Sequence, residues 1–225
     1  DGAMLAYVYN EDAADRSVAA ALVGHWGIRA VGFTGSASGG FAIMNLAAQR
    51  RAGLDGRLDF IPVFAEMGSC NVLIVLRDAS RTRMDEVVEQ VAQSLLARHG
   101  QQCTAPGVVL VAGYDHAEAF YEALKSRLAE APARRMLSPN VAKTFYGALD
   151  RAMETGIIED HTRLPTDEEK LESVSSPVLL YTQAVKVEDE PAIWEEIFGP
   201  AVVVVGCGPM ANGYHFIPPA LTVTI

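Results

Sequence analysis

Four short segments carry residues whose types and spacing could do chemistry. Cys103 lies in His99-Gly100-Gln101-Gln102-Cys103-Thr104-Ala105-Pro106-Gly107, a helix end, a polar turn and the start of a strand. A sulfur in such a turn is accessible, and backbone N–H groups around it can serve a thiolate or an oxyanion. Most lone cysteines are inert core fillers, and the polar flanks here argue against that. Glu66 closes an apolar strand in Phe64-Ala65-Glu66-Met67-Gly68-Ser69. A carboxylate at a strand's carboxyl end lies on the rim where α/β sheets bind ligands, and partial burial there would suit it to act as a base; a solvated strand end reads as well. Gly32-Phe33-Thr34-Gly35-Ser36-Ala37-Ser38-Gly39-Gly40 runs from a strand through a Gly/Ser loop into a helix. Free N–H groups and the helix dipole suit such a junction to a phosphate or pyrophosphate, or it is an ordinary βα turn with a serine cap. Neither the Rossmann G-x-G-x-x-G nor the Walker pattern is present. Trp194-Glu195-Glu196-Ile197-Phe198-Gly199-Pro200, taken alone, is a helix end with a solvated acidic face.

The elements that must position these segments alternate short β-rich apolar runs with longer stretches of helical period, the pattern of an α/β protein with a mostly parallel sheet and helices on both faces. The spacing predicts strands near 4–8, 29–33, 60–64, 72–76, 107–112, 178–181, 201–205 and 221–225. Helices are expected over about 13–24, 40–51, 115–130 and 138–154, with a further one ending near residue 98 for which Asp78, Ser80 and Thr82 offer N-caps. A Gly-rich, hairpin-like stretch spans 52–57, and Pro132 and Pro139 punctuate the later helices. From 157 to 176 charge density rises and periodicity fades, which predicts a surface excursion. The tail over 208–219, with its glycines and prolines, reads as irregular.

Composition narrows the function classes. Of the 225 residues 50% are hydrophobic, enough for a sizeable core, and the net charge is −10 without a basic cluster. Nucleic acid is therefore not an expected partner. No apolar run approaches the roughly 20 residues of a membrane span, and the first residues lack a signal-like pattern. The 3 cysteines, Cys70, Cys103 and Cys207, are widely spaced, so neither a disulfide framework nor a zinc site is suggested and a reducing cytoplasmic setting fits. Cys70 and Cys207 adjoin apolar strands and are expected to be buried. His25, His99, His116, His161 and His215 lack metal-ligand spacing, and no metal is implied.

Taken in order, the four segments resemble the central motifs of the NAD(P)-dependent aldehyde dehydrogenases: GFTGS, the acid in AEMGS, the cysteine in GQQCT and the block EIFGP. The variants AEMGS and GQQCTAPG are similar to the branch that includes 2-oxoglutarate-semialdehyde (2,5-dioxovalerate) dehydrogenases and a fatty-aldehyde dehydrogenase. The likeness runs from about Gly2 to Cys207, with a faint echo in Leu221 to Ile225. It implies an aldehyde-dehydrogenase-like α/β fold present only in its central portion, truncated at both ends. Residues 1–66 would be the C-terminal part of the nicotinamide-cofactor domain and 67–225 an incomplete catalytic domain. It also implies NADP or NAD as cofactor, a small aldehyde or semialdehyde as substrate, and a homo-oligomer. Cys103 would be the nucleophile and Glu66 the general base; Glu196 would bind the nicotinamide ribose, Phe198 would flank the nicotinamide, and Gly35 and Ser36 would lie beside the diphosphate.

Departures from the family pattern bear on activity. No residue matches the family's P-W-N motif, whose Asn is the second oxyanion donor, or the K-P segment that binds the adenosine ribose, and loss of one oxyanion donor costs on the order of a hundredfold in rate. Cys70-Asn71-Val72 stands where Asn-Pro or Ser-Pro is usual. Two alternatives to an active oxidoreductase follow: a catalytically silent assembly module, and a cofactor-independent thiol esterase using Cys103 and Glu66.

Overall fold

Strands that are apolar along their whole length hold only where both sheet faces are covered, and four such runs dominate this chain. The computed structural model describes residues 8, 15–52, 57–187, 190–208, 217, 223 and 224. The chain divides into two units, Asp1–Gly68 and Ser69–Ile225. The division falls two residues beyond the boundary expected after residue 66.

The first unit contains α1 (Ser17–Gly24), β1 (Val31–Thr34), α2 (Ala37–Ala48), β2 (Arg51–Ala52), β3 (Arg57–Leu58) and β4 (Val63–Glu66). Strands β1 and β4 pair in parallel, with Thr34 opposite Glu66, and β2 pairs with β3 antiparallel. Helix α2 begins three residues earlier than its apolar period suggests, because Ser36 caps it by accepting the Gly39 N–H. Arg50 is the unit's buried polar anchor: its guanidinium donates to the carbonyls of Ile28 and Trp26 at 2.7 and 2.9 Å and pairs with Asp59 at 2.7 Å. The strand expected near 4–8 lies outside the described residues, apart from Val8.

The second unit follows with β5 (Asn71–Val75), α3 (Arg77–Thr82), α4 (Met84–Leu96), β6 (Pro106–Ala112), α5 (Tyr114–Leu128), β7 (Arg134–Arg135), α6 (Pro139–Glu154), β8 (Asp160–His161), α7 (Asp167–Glu172), β9 (Val174–Ser175), β10 (Val178–Gln183), α8 (Ala184–Val187), β11 (Ala201–Cys207) and β12 (Val223–Thr224). Its six-stranded sheet has the order β12-β5-β6-β11-β10-β8, with β8 alone antiparallel to its neighbour. The period-2 alternation of side chains splits each central strand between two cores. Val108, Leu110, Val203, Val205, Val178 and Leu180 face α6, with Phe145 and Leu149. Val109, Val111, Val202, Val204, Leu179 and Tyr181 face α4 and α5, with Leu95, Phe120 and Leu124. Helices thus cover both faces, as the sequence pattern predicts.

Two local expectations fail for physical reasons. Ser80 and Thr82 do not cap a helix; their hydroxyls donate back to the carbonyls of Arg77 and Asp78 inside α3, and the chain breaks at Arg83 before α4. The stretch 157–176 is not a bare excursion. It holds β8, β9 and α7, and α7 is nucleated by a capping box in which Thr166 accepts from the Glu169 N–H while the Glu169 carboxylate accepts from the Thr166 N–H.

Candidate active site

Cys103 sits between the end of α4 and the start of β6. After Leu96 the backbone turns through left-handed conformations at Arg98, His99 and Gly100, with φ of 48°, 59° and 65°. Gly100 permits this because it lacks a Cβ, and a Cβ there would also run into the Gly199 carbonyl oxygen. The approach therefore packs the run-up to Cys103 against the Glu196–Pro200 block. His99 is buried with its basicity lowered by that burial.

A turn then spans Gln102 to Ala105, closed by the Ala105 N–H donating to the Gln102 carbonyl at 3.1 Å, so Cys103 and Thr104 lie at its tip and are exposed. The flanking glutamines brace it. Gln102 Nε2 donates to the Ala97 carbonyl at 3.1 Å, and Gln101 Oε1 accepts the Leu137 N–H at 2.6 Å. From beneath, Asn71 at the head of β5 donates through Nδ2 to the carbonyls of Cys103 and Ala105, at 2.7 and 2.9 Å. Its Oδ1 accepts the Ser69 hydroxyl at 3.0 Å, which fixes the orientation of the amide.

Cys103 is the exposed one of the three thiols. Burial pushes Cys70 up to about 12, with the nearby charge of Glu196 adding to it, and pushes Cys207 up to about 11, so both stay protonated and inert. Both were expected to be buried, and both are. Glu196 is half-buried, and desolvation raises its carboxyl while the Ser69 N–H hydrogen bond opposes that rise. Phe198 is half-buried and Gly199 packs on the Phe145 ring.

In the first unit, Glu66 ends β4 and is exposed rather than partly buried, because the strand alternates and its fourth side chain faces outward. Its backbone carbonyl accepts the Gly35 N–H at 3.1 Å, which draws the Gly/Ser loop onto the strand end. Gly35 and Ser36 are exposed; Ser36 Oγ lies 3.1 Å from Ser38 Oγ. The N–H groups of Ala37 and Ser38 at the start of the twelve-residue α2 have no hydrogen-bond partner within the chain among the described residues, a donor set suited to an anion.

Sequence reasoning missed Asn71 and Ser69 as parts of this site. The available signal was Pro106, which marks where β6 begins after the Cys103 turn; Asn71 lies opposite it at the head of β5 and donates to the Ala105 carbonyl. Among the described residues no group of three His, Cys, Asp or Glu side chains is placed to hold a metal, and no helix is long and apolar enough to cross a membrane.

The site is thus an exposed thiol turn at the end of a mostly parallel sheet, packed at Gly100 against the EIFGP block. Residues 6–211 match the aldehyde dehydrogenase family, and the chain belongs to that family. It is 31% identical over 192 residues to alpha-ketoglutaric semialdehyde dehydrogenase 2 of Azospirillum brasilense, a match covering 85% of this chain and 35% of that protein. It is 32% identical over 212 residues to alpha-ketoglutaric semialdehyde dehydrogenase of Acinetobacter baylyi, covering 92% of this chain and 39% of that one. The chain thus spans well under half the length of these relatives. In fold it is similar to a 1-pyrroline-5-carboxylate dehydrogenase from Thermus with bound NAD, with a TM-score of 0.69 at 22% identity, covering 88% of this chain and 38% of that one.

Proposed function

We propose that this chain carries the reactive thiol of an NAD(P)-dependent dehydrogenase that oxidises an aldehyde or semialdehyde to the acid. The observation that carries the reading is the contrast among the cysteines: Cys103 is exposed at the tip of a braced turn while Cys70 and Cys207 are buried and held protonated. The Cys103 thiolate adds to the aldehyde carbon, and the oxygen of the resulting thiohemiacetal takes up negative charge beside the Cys103 N–H, which has no partner within the chain among the described residues. The nicotinamide, when bound, supplies the acceptor for the hydride that leaves that carbon. Glu66 takes a proton from the water that opens the thioester, which releases the acid and returns the thiol.

The residues present fit such a cofactor in part. The partner-free N–H groups of Ala37 and Ser38, next to Gly35 and Ser36, suit its diphosphate. The half-buried Glu196 carboxylate suits a ribose hydroxyl, and Phe198 an aromatic ring face. The similarity to alpha-ketoglutaric semialdehyde dehydrogenases favours a short dicarboxylate semialdehyde as substrate.

The test is formation of reduced nicotinamide by the purified chain with NADP or NAD and a panel of semialdehydes and fatty aldehydes, beside Cys103→Ala. Turnover abolished by that substitution supports the reading. No turnover in any combination, together with an iodoacetamide reactivity of Cys103 no higher than that of an unfolded thiol, overturns it for this chain.

A further inference from the structure

The turn that presents Cys103 is held from below by one side chain, and that side chain lies outside the four chemistry-bearing segments. We infer that Asn71 is a positioning residue for the Cys103 nucleophile, its amide clamping the thiol turn and Ser69 orienting the amide. The inference deepens the proposed function and rests on its assignment of Cys103 as the nucleophile.

Asn71 is 3% exposed and opens β5 opposite Pro106. Pro106 marks the start of β6, and the pairing shifts between Asn71 and Val72, which sets the Asn71 side chain beside the carbonyls of the preceding turn. The side-chain amide supplies two donors there, one to the Ala105 carbonyl and one to the Cys103 carbonyl. The second bond fixes the peptide that follows Cys103. The peptide that precedes it is fixed by the Ala105 N–H on the Gln102 carbonyl, so both peptides flanking the thiol have a set orientation.

The direction of these dipoles matters to the sulfur. With the Gln102 carbonyl turned into the β-turn, the Cys103 N–H of the same trans peptide points the other way, out of the turn. The Cys103 carbonyl, whose negative end would disfavour a thiolate, is drawn inward to Asn71. Ser69 makes the amide's orientation single-valued: its hydroxyl donates to Oδ1, which leaves only Nδ2 for the carbonyls. Ser69 also gives its N–H to Glu196, so the same residue ties the clamp to the proposed ribose carboxylate. A merely structural asparagine would be replaceable by any group that filled the space, whereas a clamp needs donors pointing at two carbonyls.

Asn71→Asp separates these cases. It keeps size and shape, yet its ionised form cannot donate and sets a negative charge against two carbonyl oxygens. The experiment is alkylation of the intact chain by iodoacetamide from pH 6 to 10, with modification at Cys103 read by peptide mass spectrometry and the buried Cys70 and Cys207 as internal controls of folding. The expected result is a Cys103 pH–rate profile displaced to higher pH in Asn71→Asp and Asn71→Ala, with a loss of roughly tenfold in rate near neutrality, equivalent to one pH unit. Should either variant fail to fold, shown by Cys70 becoming reactive, Ser69→Ala carries the test: it slows alkylation several-fold, and Ser69→Thr, which keeps the hydroxyl, recovers most of that loss. Variants that remain folded with the wild-type profile overturn the inference. A wild-type Cys103 no more reactive than an unfolded thiol instead defeats the functional reading, which the comparison among variants does not touch.

Discussion

Replacing Gly100 by alanine probes whether the turn before Cys103 is locked against the Glu196–Pro200 block. Two costs add. The backbone there has φ of 65°, and a left-handed conformation costs an L-residue about 1–2 kcal/mol relative to glycine. The new methyl would also strike the Gly199 carbonyl oxygen and come within 2.9 Å of the Pro200 nitrogen. These are backbone atoms that cannot rotate aside, and such overpacking adds about 1–3 kcal/mol. The sum is roughly 2–5 kcal/mol, a large part of a typical domain's 5–15 kcal/mol. Gly156 supplies the control: its φ is 70°, and a Cβ there meets nothing within 4 Å. Gly156→Ala therefore carries the conformational cost alone. With a urea slope of about 2 kcal/mol/M, the midpoint should fall by about 0.5–1 M for Gly156→Ala and by about 1–2.5 M for Gly100→Ala. Equal shifts in the two variants would refute the packing of this turn on the Gly199 carbonyl.

Other perturbations follow from the same contacts. Arg50→Ala removes a buried cation that serves two carbonyls and Asp59, and is expected to destabilise the first unit by about 3 kcal/mol, read as early loss of protection from hydrogen exchange in residues 31–50. Phe145→Ala deletes a fully buried ring beneath Gly199 and should cost about 3–5 kcal/mol in urea unfolding; a cost near 1 kcal/mol would show that the ring is not part of the core. The buried thiols set an alkaline limit. Cys207 and Cys70 keep protons in the fold up to about 11 and about 12, whereas the unfolded chain releases them from about 9.0, so stability falls as pH rises through that interval. The slope is about 1.4 kcal/mol per pH unit for each thiol, and Cys70→Ala with Cys207→Ala should flatten it; an unchanged slope in the double variant would show that other groups set the alkaline limit.

Legibility in the sequence followed the range of the interaction that decides each feature. The sheet was readable because its determinants are contiguous: Val202 to Val205 carry no polar position, so the strand must be covered on both faces whatever surrounds it. The capping role of Ser36 was readable for the same reason, although α2 starts at Ala37 because glycines that weaken the helical period still accept helical geometry once the cap is made. Where two local signals compete, the reading failed. In α3 the hydroxyls of Ser80 and Thr82 resemble caps but find closer partners in the preceding turn. In 157–176 the Thr166–Glu169 capping box was present but obscured by charge density that also fits a solvated loop.

The candidate site shows the same division between what is local and what is not. A thiol's accessibility follows from its immediate neighbours, and the polar residues around Cys103 announce an exposed turn. What holds that turn comes from far along the chain: Asn71 is 32 residues away from Cys103, and Gln101 receives the Leu137 N–H across 36. Neither partner has a periodicity or a motif that points to Cys103. Asn71 acts there because the parallel pairing of β5 with β6 sets it opposite Pro106, beside the carbonyls of the turn that ends there. The nucleophile is thus a local property of sequence, whereas its orientation is a property of strand register. A substitution that slips the β5–β6 register by one residue would leave Cys103 exposed and take away the donors that hold its turn.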